Sequence, residues 1–305
     1  MRSFEIATVT DITWDRLRQM VIDSVSAQSS RRNYGNALDR FHDWYFSEPR
    51  QALCKSVVQE YKARLESAAY APATIALHLA AIRKLAIEAS DNGLMDPHLA
   101  AGICRVRGPR RRGVRIGKWL SKSEAAALLN APARESLKGK RDRAILAIAI
   151  GAGLRRAELA ALSVSHLQCR DDRPVIADLV GKHNRVRSVP IPTLVVVRLN
   201  DWLGAAQITA GAVFRSIDKA DRITGASLTP QAIYEITKTY GYRSGQPIAP
   251  HDLRRTFARL ARNGKASLEQ IQFALGHASI TTTERYLGLT QDLGDAPGDH
   301  IDLDV

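Results

Sequence analysis

The segment 250–286, PHDLRRTFARLARNGKASLEQIQFALGHASITTTERY, sets the terms on which the rest of the chain has to be read. Pro250 suits a first helical position, and the i,i+3 spacing of His251 and Arg254 puts both side chains on one face of the helix it opens. Ser267 followed by Gln270 reads as a capping box, and Leu268, Ile271 and Leu275 form an inward stripe that closes at Gly276. His277 then falls in the turn just past that helix. Thr281 with Glu284 signals a third, short helix that carries Tyr286. Two histidines, an arginine and a phenol are thus held on short, ordered elements.

Upstream, the pattern alternates between buried helices and one β-rich stretch. Ser121 with Glu124 predicts a capped helix over SKSEAAALLNA. The run RDRAILAIAIGAG, 141–153, is apolar nearly all round and predicts a central buried helix that ends on glycines. Directly after it, LRRAELAAL sets Arg155 and Glu158 three apart at the start of a short helix whose Leu159 and Leu162 face inward, so that a carboxylate can orient the arginine. Residues 173–191, RPVIADLVGKHNRVRSVPI, switch to β-branched residues around GKHN, a hairpin with Lys182 at its tip. A helix over 193–206, a short strand at VFR (213–215) and a helix from Pro230 to Tyr242 complete the approach to the opening segment.

Residues 11–92 read as four amphipathic helices forming a small bundle. Trp14, Tyr34, Phe41, Trp44 and Tyr45 recur at helical spacing and are expected in its core. Between the two halves, ICRVRGPRRRGVRIGKWL (103–120) carries seven basic residues and no acidic one, a linker by composition that would stay near a polyanion. The 305-residue chain has a formal net charge of +13, and the excess sits in this segment and in the C-terminal half, the distribution expected of a phosphate-backbone footprint. Arg31, Arg32, Arg83 and Lys84 in the bundle, Arg110, Arg111, Arg112 and Arg115 in the linker, and Arg185 and Arg187 in the hairpin are the candidate DNA contacts. The expected fold class is mainly α with a small β-sheet (α+β): an N-terminal helical bundle (1–102), the basic linker (103–120), a mixed α/β domain (121–290) and an acidic tail (291–305).

Several chemistries are disfavoured by what the chain contains. Cys54, Cys104 and Cys169 are far apart and without metal-ligand spacing, so neither a disulfide framework nor a zinc site is expected. No Asp/Glu cluster suited to Mg²⁺ is evident, and no cofactor is expected. No apolar run reaches the length of a membrane span and the N-terminus lacks a signal pattern, which predicts a cytoplasmic, nucleoid-associated protein. What remains is Arg155, Lys182, His251, Arg254, His277 and Tyr286. Arginine forks match two phosphate oxygens at once, tyrosine is a competent nucleophile, and lysine and histidine move protons. Together they suggest metal-free phosphoryl transfer.

GLRRAELAAL, GKHNRVRSVPI, HDLRRTFARLA and LGHASITTTERYLG occur in this order, with nine residues from His277 to Tyr286, and in this the sequence resembles the tyrosine recombinase (phage integrase) family. The resemblance implies a core-binding helical domain that clamps DNA, joined to a catalytic domain. It implies that Tyr286 attacks the scissile phosphate to leave a 3′-phosphotyrosyl link and a free 5′-hydroxyl, without a nucleotide cofactor. Arg155 and Arg254 would hold the non-bridging oxygens, His277 would add a hydrogen bond, His251 would assist proton transfer from the tyrosine, and Lys182 would protonate the leaving 5′ oxygen. The partners implied are double-stranded DNA target sites, a dimer on each site, a tetramer in the synaptic complex and accessory DNA-bending proteins, in a setting that includes mobile genetic elements. His183 departs from the glycine common after the hairpin lysine. A topoisomerase-like nicking-closing enzyme of type IB and a catalytically silent DNA-binding regulator are the alternatives. The alternating Ile301, Leu303 and Val305 of the tail suit a short strand docking on a neighbouring protomer.

Overall fold

A computed structural model describes residues 11–109, 117–181 and 185–288, apart from the side chains of residues 11–13. Lys182, His183, the arginines at 110, 111, 112 and 115, and the tail after Gly288 therefore lie outside the described residues. The chain divides into two compact units, 1–113 and 114–305.

The first unit is built on α4 (Pro72–Asp91), which packs against α1 (Asp11–Asp23), α2 (Gln28–Phe46), α3 (Lys55–Ser67) and α5 (Pro97–Cys104). Ile75, Leu79, Ile82, Leu85 and Ala86 give α4 a fully buried face, and Gly93 at φ 70° supplies the left-handed turn that follows it. The expected aromatics are in this core: Trp14, Phe41 and Trp44 are buried, with Tyr34 and Tyr45 packed at its edge. One buried polar pair is satisfied internally, Tyr61 Oη to His78 Nδ1 at 2.9 Å. Among the described residues the bundle has five helices rather than the expected four. In α5, the Asp96 carboxylate accepts from the amides of His98 and Leu99 while Pro97 fills the first turn, a start signal masked by the short length of the helix. Ile103 and Val106, inside the segment expected to be linker, are buried in this core.

The second unit wraps α7 (Leu137–Gly151), whose residues from Ala144 to Ile150 are all buried. Around it stand α6 (Lys122–Asn130), capped by the expected Ser121–Glu124 box, α9 (Thr193–Ala205), α10 (Pro230–Arg243) and α11 (Pro250–Asn263). Asp142 on α7 is fully buried, yet it accepts from Arg141, from Lys138 Nζ at 2.8 Å and from Tyr240 Oη at 3.0 Å, which ties α7 to α10. The expected VFR strand does not form. Val213 and Phe214 are buried core residues held by single bonds, Val213 N–H to Leu162 O and Leu228 N–H to Phe214 O, with one isolated bridge from Ala212 to Ser163.

The hairpin is part of a three-stranded antiparallel sheet, β1 (Leu167–Arg170), β2 (Arg173–Val180) and β3 (Val186–Pro190). β1 returns into β2 through Asp171 and Asp172, both at positive φ (49° and 56°), a tight turn of the type usually signalled by Asn-Gly. That atypical Asp-Asp pair explains why sequence reasoning missed the strand. Register shifts by one residue between Ile176↔Val189 and Leu179↔Arg187, with Asp178 at φ 56° as the extra residue. The bulge lets Ile176 and Leu179, three apart, both face inward, and sets Arg187 opposite a buried position.

Last come α8 (Arg156–Ala160), α12 (Leu268–Leu275) and α13 (Ile280–Leu287). The cap of α13 is Ser279, whose hydroxyl accepts from Thr281 N at 3.2 Å, so the helix starts ahead of the expected Thr281 signal.

Gly139 in the first turn of α7 tests this packing. An added Cβ would lie 2.0 Å from the Ala133 carbonyl oxygen. Helix propensity alone predicts that Gly139→Ala stabilises by about 1 kcal/mol, whereas the collision predicts destabilisation by about 1–3 kcal/mol. Urea unfolding should show the loss; a stabilised variant would remove the close approach.

Candidate active site

Five of the six residues singled out from sequence lie among the described residues: Arg155, His251 and Arg254 line one cleft, and Tyr286 and His277 adjoin it through ring contacts that start from His251. A cavity of ≈ 400 Å³ is lined by Arg155, Tyr234, Pro250, His251 and Arg254 among others. Arg155 is the N-cap residue of α8, where the chain leaves the buried helix α7 through Gly153 and Leu154. Its amide donates to Glu158 Oε2 at 2.8 Å and its Nη1 to Glu158 Oε1 at 2.9 Å, so the expected orienting carboxylate is in place.

Glu158 also serves a second arginine. Arg187 Nη1 and Nη2 donate to its two oxygens at 2.9 and 2.8 Å, and Arg187 Nε donates to Ala274 O at 2.9 Å. The Arg187 side chain is only 10% exposed, so this residue, expected among the DNA contacts, is placed as an internal brace between β3, α8 and α12. Burial by itself would raise the Glu158 carboxyl, but Arg187 and then Arg155 outweigh it and hold it at about 2.

Arg254 is almost fully buried. Its Nη1 donates to Gly153 O at 2.5 Å and its Nη2 to Leu275 O, linking the C-terminus of α7 to that of α12. Both ends require glycine: Gly153 sits at φ 62° with no room for a Cβ beside Phe257, and Gly276 at φ 60° closes α12. Desolvation, then the neighbouring Arg155, pull the Arg254 guanidinium down to about 10, which leaves it charged at neutral pH.

Tyr286, half-buried on α13, has His251 and His277 edge-on to its ring at centroid distances of 5.4 and 5.2 Å. Its hydroxyl donates to His251 O at 3.3 Å. Burial pushes the phenol up to about 12 against the opposing pull of Arg254 and Arg255. His277 Nδ1 is 3.0 Å from Thr283 Oγ1, and burial, with Arg254 and Arg155 behind it, holds the imidazole down at about 4. His251 is lowered too, by desolvation first and then by Arg255 and Arg254, although the residue is exposed. At neutral pH the arrangement therefore presents cationic forks, neutral imidazoles and a neutral phenol at a small cleft, a receptor for an anion next to a hydroxyl group.

Residues 118–292 match the family model described as the phage integrase family, and residues 15–92 match the N-terminal SAM-like domain of phage integrases. The chain belongs to the phage integrase family. Among curated members of that family, it is 32% identical over 220 residues to tyrosine recombinase XerC of Pseudomonas entomophila L48, covering 71% of this chain and 69% of the relative. With XerC of Pseudomonas fluorescens Pf0-1 it shares 30% identity over 263 residues, 84% of each chain. Among solved structures it is similar to XerH recombinase bound to a palindromic difH substrate (TM-score 0.69, 18% identity, 93% of this chain and 83% of that one). It is also similar to a lambda integrase dimer on a COC′ core site (TM-score 0.69, 19% identity, 93% and 79%). At those identities the structural likeness speaks for the fold, mostly helical with a small sheet and with an N-terminal helical domain.

The other candidate DNA contacts are placed as follows. Arg32 and Arg185 are exposed; Arg31 Nε donates to Val25 O at 2.5 Å; Arg83 bonds Val106 O; Lys84 pairs with Glu88 at 2.8 Å. Sequence reasoning missed Thr283 as the partner of His277 and Arg255 beside the Tyr286 ring. The first is hidden in a run of three threonines and the second follows Arg254 directly, so neither carries a spacing signal of its own. Among the described residues no helix is long and apolar enough to cross a membrane.

The imidazole shift makes a signed prediction. Between pH about 6.5 and about 4 the unfolded chain takes up a proton at His277 that the folded chain refuses, so stability falls as pH drops through that window. Urea midpoints of the native protein should decline from pH 7 to pH 5, and His277→Gln should show a shallower decline. Equal slopes would mean that His277 titrates normally.

Proposed function

We propose that the chain is a site-specific DNA recombinase that cuts and rejoins DNA through a 3′-phosphotyrosyl intermediate. The observation that most supports this reading is Tyr286 flanked by two histidines, one of which, His251, lines the cleft together with Arg155 and Arg254. The Tyr286 oxygen attacks phosphorus in line, its proton passes toward His251, and the bond from phosphorus to the 5′ oxygen breaks. Lys182 supplies the proton that the departing 5′ oxygen takes up. Arg155 and Arg254, with His277, offer donors to the non-bridging oxygens and offset the charge that builds on them in the transition state. Because both guanidinia are already anchored, by Glu158 and by backbone carbonyls, little reorganisation is needed when the phosphate arrives. The phosphotyrosyl bond conserves the phosphodiester energy, so attack by a new 5′-hydroxyl reverses the chemistry without a cofactor.

In this reading residues 1–102 clamp one face of the duplex, 103–120 connect the domains, 121–290 carry the catalytic site and the tail from 291 engages a neighbouring protomer. Two protomers occupy each target site and four form the synaptic complex, with accessory DNA-bending proteins assisting where the site demands it. The XerC relatives, which the chain matches over most of their length, support recombination rather than topoisomerase-like nicking and closing alone. The basic excess of the chain supports duplex DNA as the substrate.

A nicked suicide substrate should trap a covalent protein–DNA adduct with the native protein and none with Tyr286→Phe; equal adduct in both would remove Tyr286 as nucleophile. Lys182→Ala should cleave an ordinary phosphodiester poorly and regain cleavage on a 5′-bridging phosphorothiolate, whose sulfur leaves without an acid. Absence of that rescue would assign the proton to another group.

A further inference from the structure

The residue directly after the buried Arg254 is placed where no phosphate-clamp argument requires it. The Arg255 guanidinium carbon lies 5.4 Å from the centroid of the Tyr286 ring. The same side chain makes a 3.4 Å contact with Asp252 on its own helix. On its other side it is covered by backbone: a Cβ built on Gly117 would fall 1.4 Å from Arg255 Nη1 and 2.1 Å from its Cζ. Gly117 thus lets the main chain lie flat against the guanidinium, which no other residue type permits without moving it. The strand of chain that does this is fixed immediately afterwards. Leu120 N–H donates to Thr256 Oγ1 at 2.9 Å, and Arg259 stacks over Trp119 at 4.1 Å. Residues 117–120 therefore form a strap along α11, and the strap pins one arginine toward the phenol.

We infer that Arg255 is a positioning residue for the Tyr286 nucleophile, held there by the Gly117 strap. A cation near the aromatic face attracts the ring, and attracts it more strongly as negative charge develops on the phenolic oxygen. Arg155 and Arg254 are anchored elsewhere, by Glu158 and by the carbonyls of Gly153 and Leu275, whereas Arg255 lies beside the Tyr286 ring. Among the described residues, the groups that face Tyr286 are His251, Asp252, Arg254 and Arg255 from α11, His277 from the turn after α12, and Arg155 from the start of α8. Among the arginines of this set, Arg255 is the one whose place depends on a glycine in the strap. The direction of its influence agrees with the geometry, because Arg255 pulls the phenol toward ionisation against the larger effect of burial.

The inference rests on Tyr286 as nucleophile, and its test contains one measurement that needs no DNA. With 3-fluorotyrosine at position 286 of the full chain, ¹⁹F NMR reports ionisation of this phenol alone, and the fluorine brings it into an accessible pH range. Arg255→Gln should raise its pKa by about one unit, Arg255→Lys by less, and Gly117→Ala in the same direction as Arg255→Gln. The Gly117 variant only displaces the far end of a flexible side chain, so its fold should be retained. Single-turnover cleavage of the suicide substrate across pH 6–10 should fall about tenfold at neutral pH in Arg255→Gln and recover toward alkaline pH, with DNA affinity unchanged. A phenol that titrates identically in native, Arg255→Gln and Gly117→Ala proteins would overturn the inference. So would a rate loss matched by an equal loss of DNA affinity, which would make Arg255 a phosphate contact. A native protein that forms no adduct refutes the recombinase reading instead, and the ¹⁹F titration then still decides whether Arg255 governs the phenol.

Discussion

A single buried carboxylate makes the arginine cluster possible. Arg155 and Arg187 both contact Glu158, whose side chain is only 7% exposed, and Arg254 stands close enough to Arg155 to be pulled down by it. Like charges this near one another repel strongly in a half-buried site. Glu158 answers by splitting its oxygens between two guanidinia and the Arg155 amide, while Arg254 and the Arg187 Nε take backbone carbonyls. The positive charge left over faces the cleft, which suits it to an anion. Removal of this carboxylate would leave a partly buried cation without its partner, the costliest kind of defect in a polar cluster.

The scaffold exists to hold these contacts in register. The buried helix α7 ends at Gly153, whose left-handed turn places Arg155 at the start of α8 and offers its own carbonyl to Arg254. From the other side, α12 ends at Gly276, with the carbonyls of Ala274 and Leu275 turned to Arg187 and Arg254. Two helix C-termini, where carbonyls lack partners within their own helices, thus become acceptors for the two least exposed arginines of the cluster, Arg254 and Arg187. The same geometry keeps His277 neutral and the phenol protonated, because burial first, and then the field of the cluster, oppose positive charge on the imidazole, while burial opposes charge on the phenol.

Most of the elements were legible because their signals are local. The Ser121–Glu124 box, the Ser267 cap, the glycine after α12 and the all-round apolar run of α7 each appear where the sequence puts them. The elements that escaped, α5 and β1, are short, and β1 begins a hairpin whose Asp-Asp turn lacks the usual glycine. The VFR segment shows the converse error: β-branched and aromatic residues mark burial as well as pairing, and here burial alone applies. Cap position failed where serine and threonine crowd together, as at Ser279 and Thr281.

The sequence by itself determined the family, the order of the elements and the residue types of the site, since i,i+3 pairs, caps and hydrophobic periods depend on neighbours a few positions apart. Only the tertiary structure decided how those residues act on one another. That Arg187 braces Glu158 against α12 depends on β3, paired across a bulge with β2, lying beside a helix 87 residues away. That Arg255 leans on Tyr286 beneath Gly117 depends on a strap crossing α11. Neither has a sequence signature, because each joins chain segments whose separation is set by packing and not by local backbone geometry.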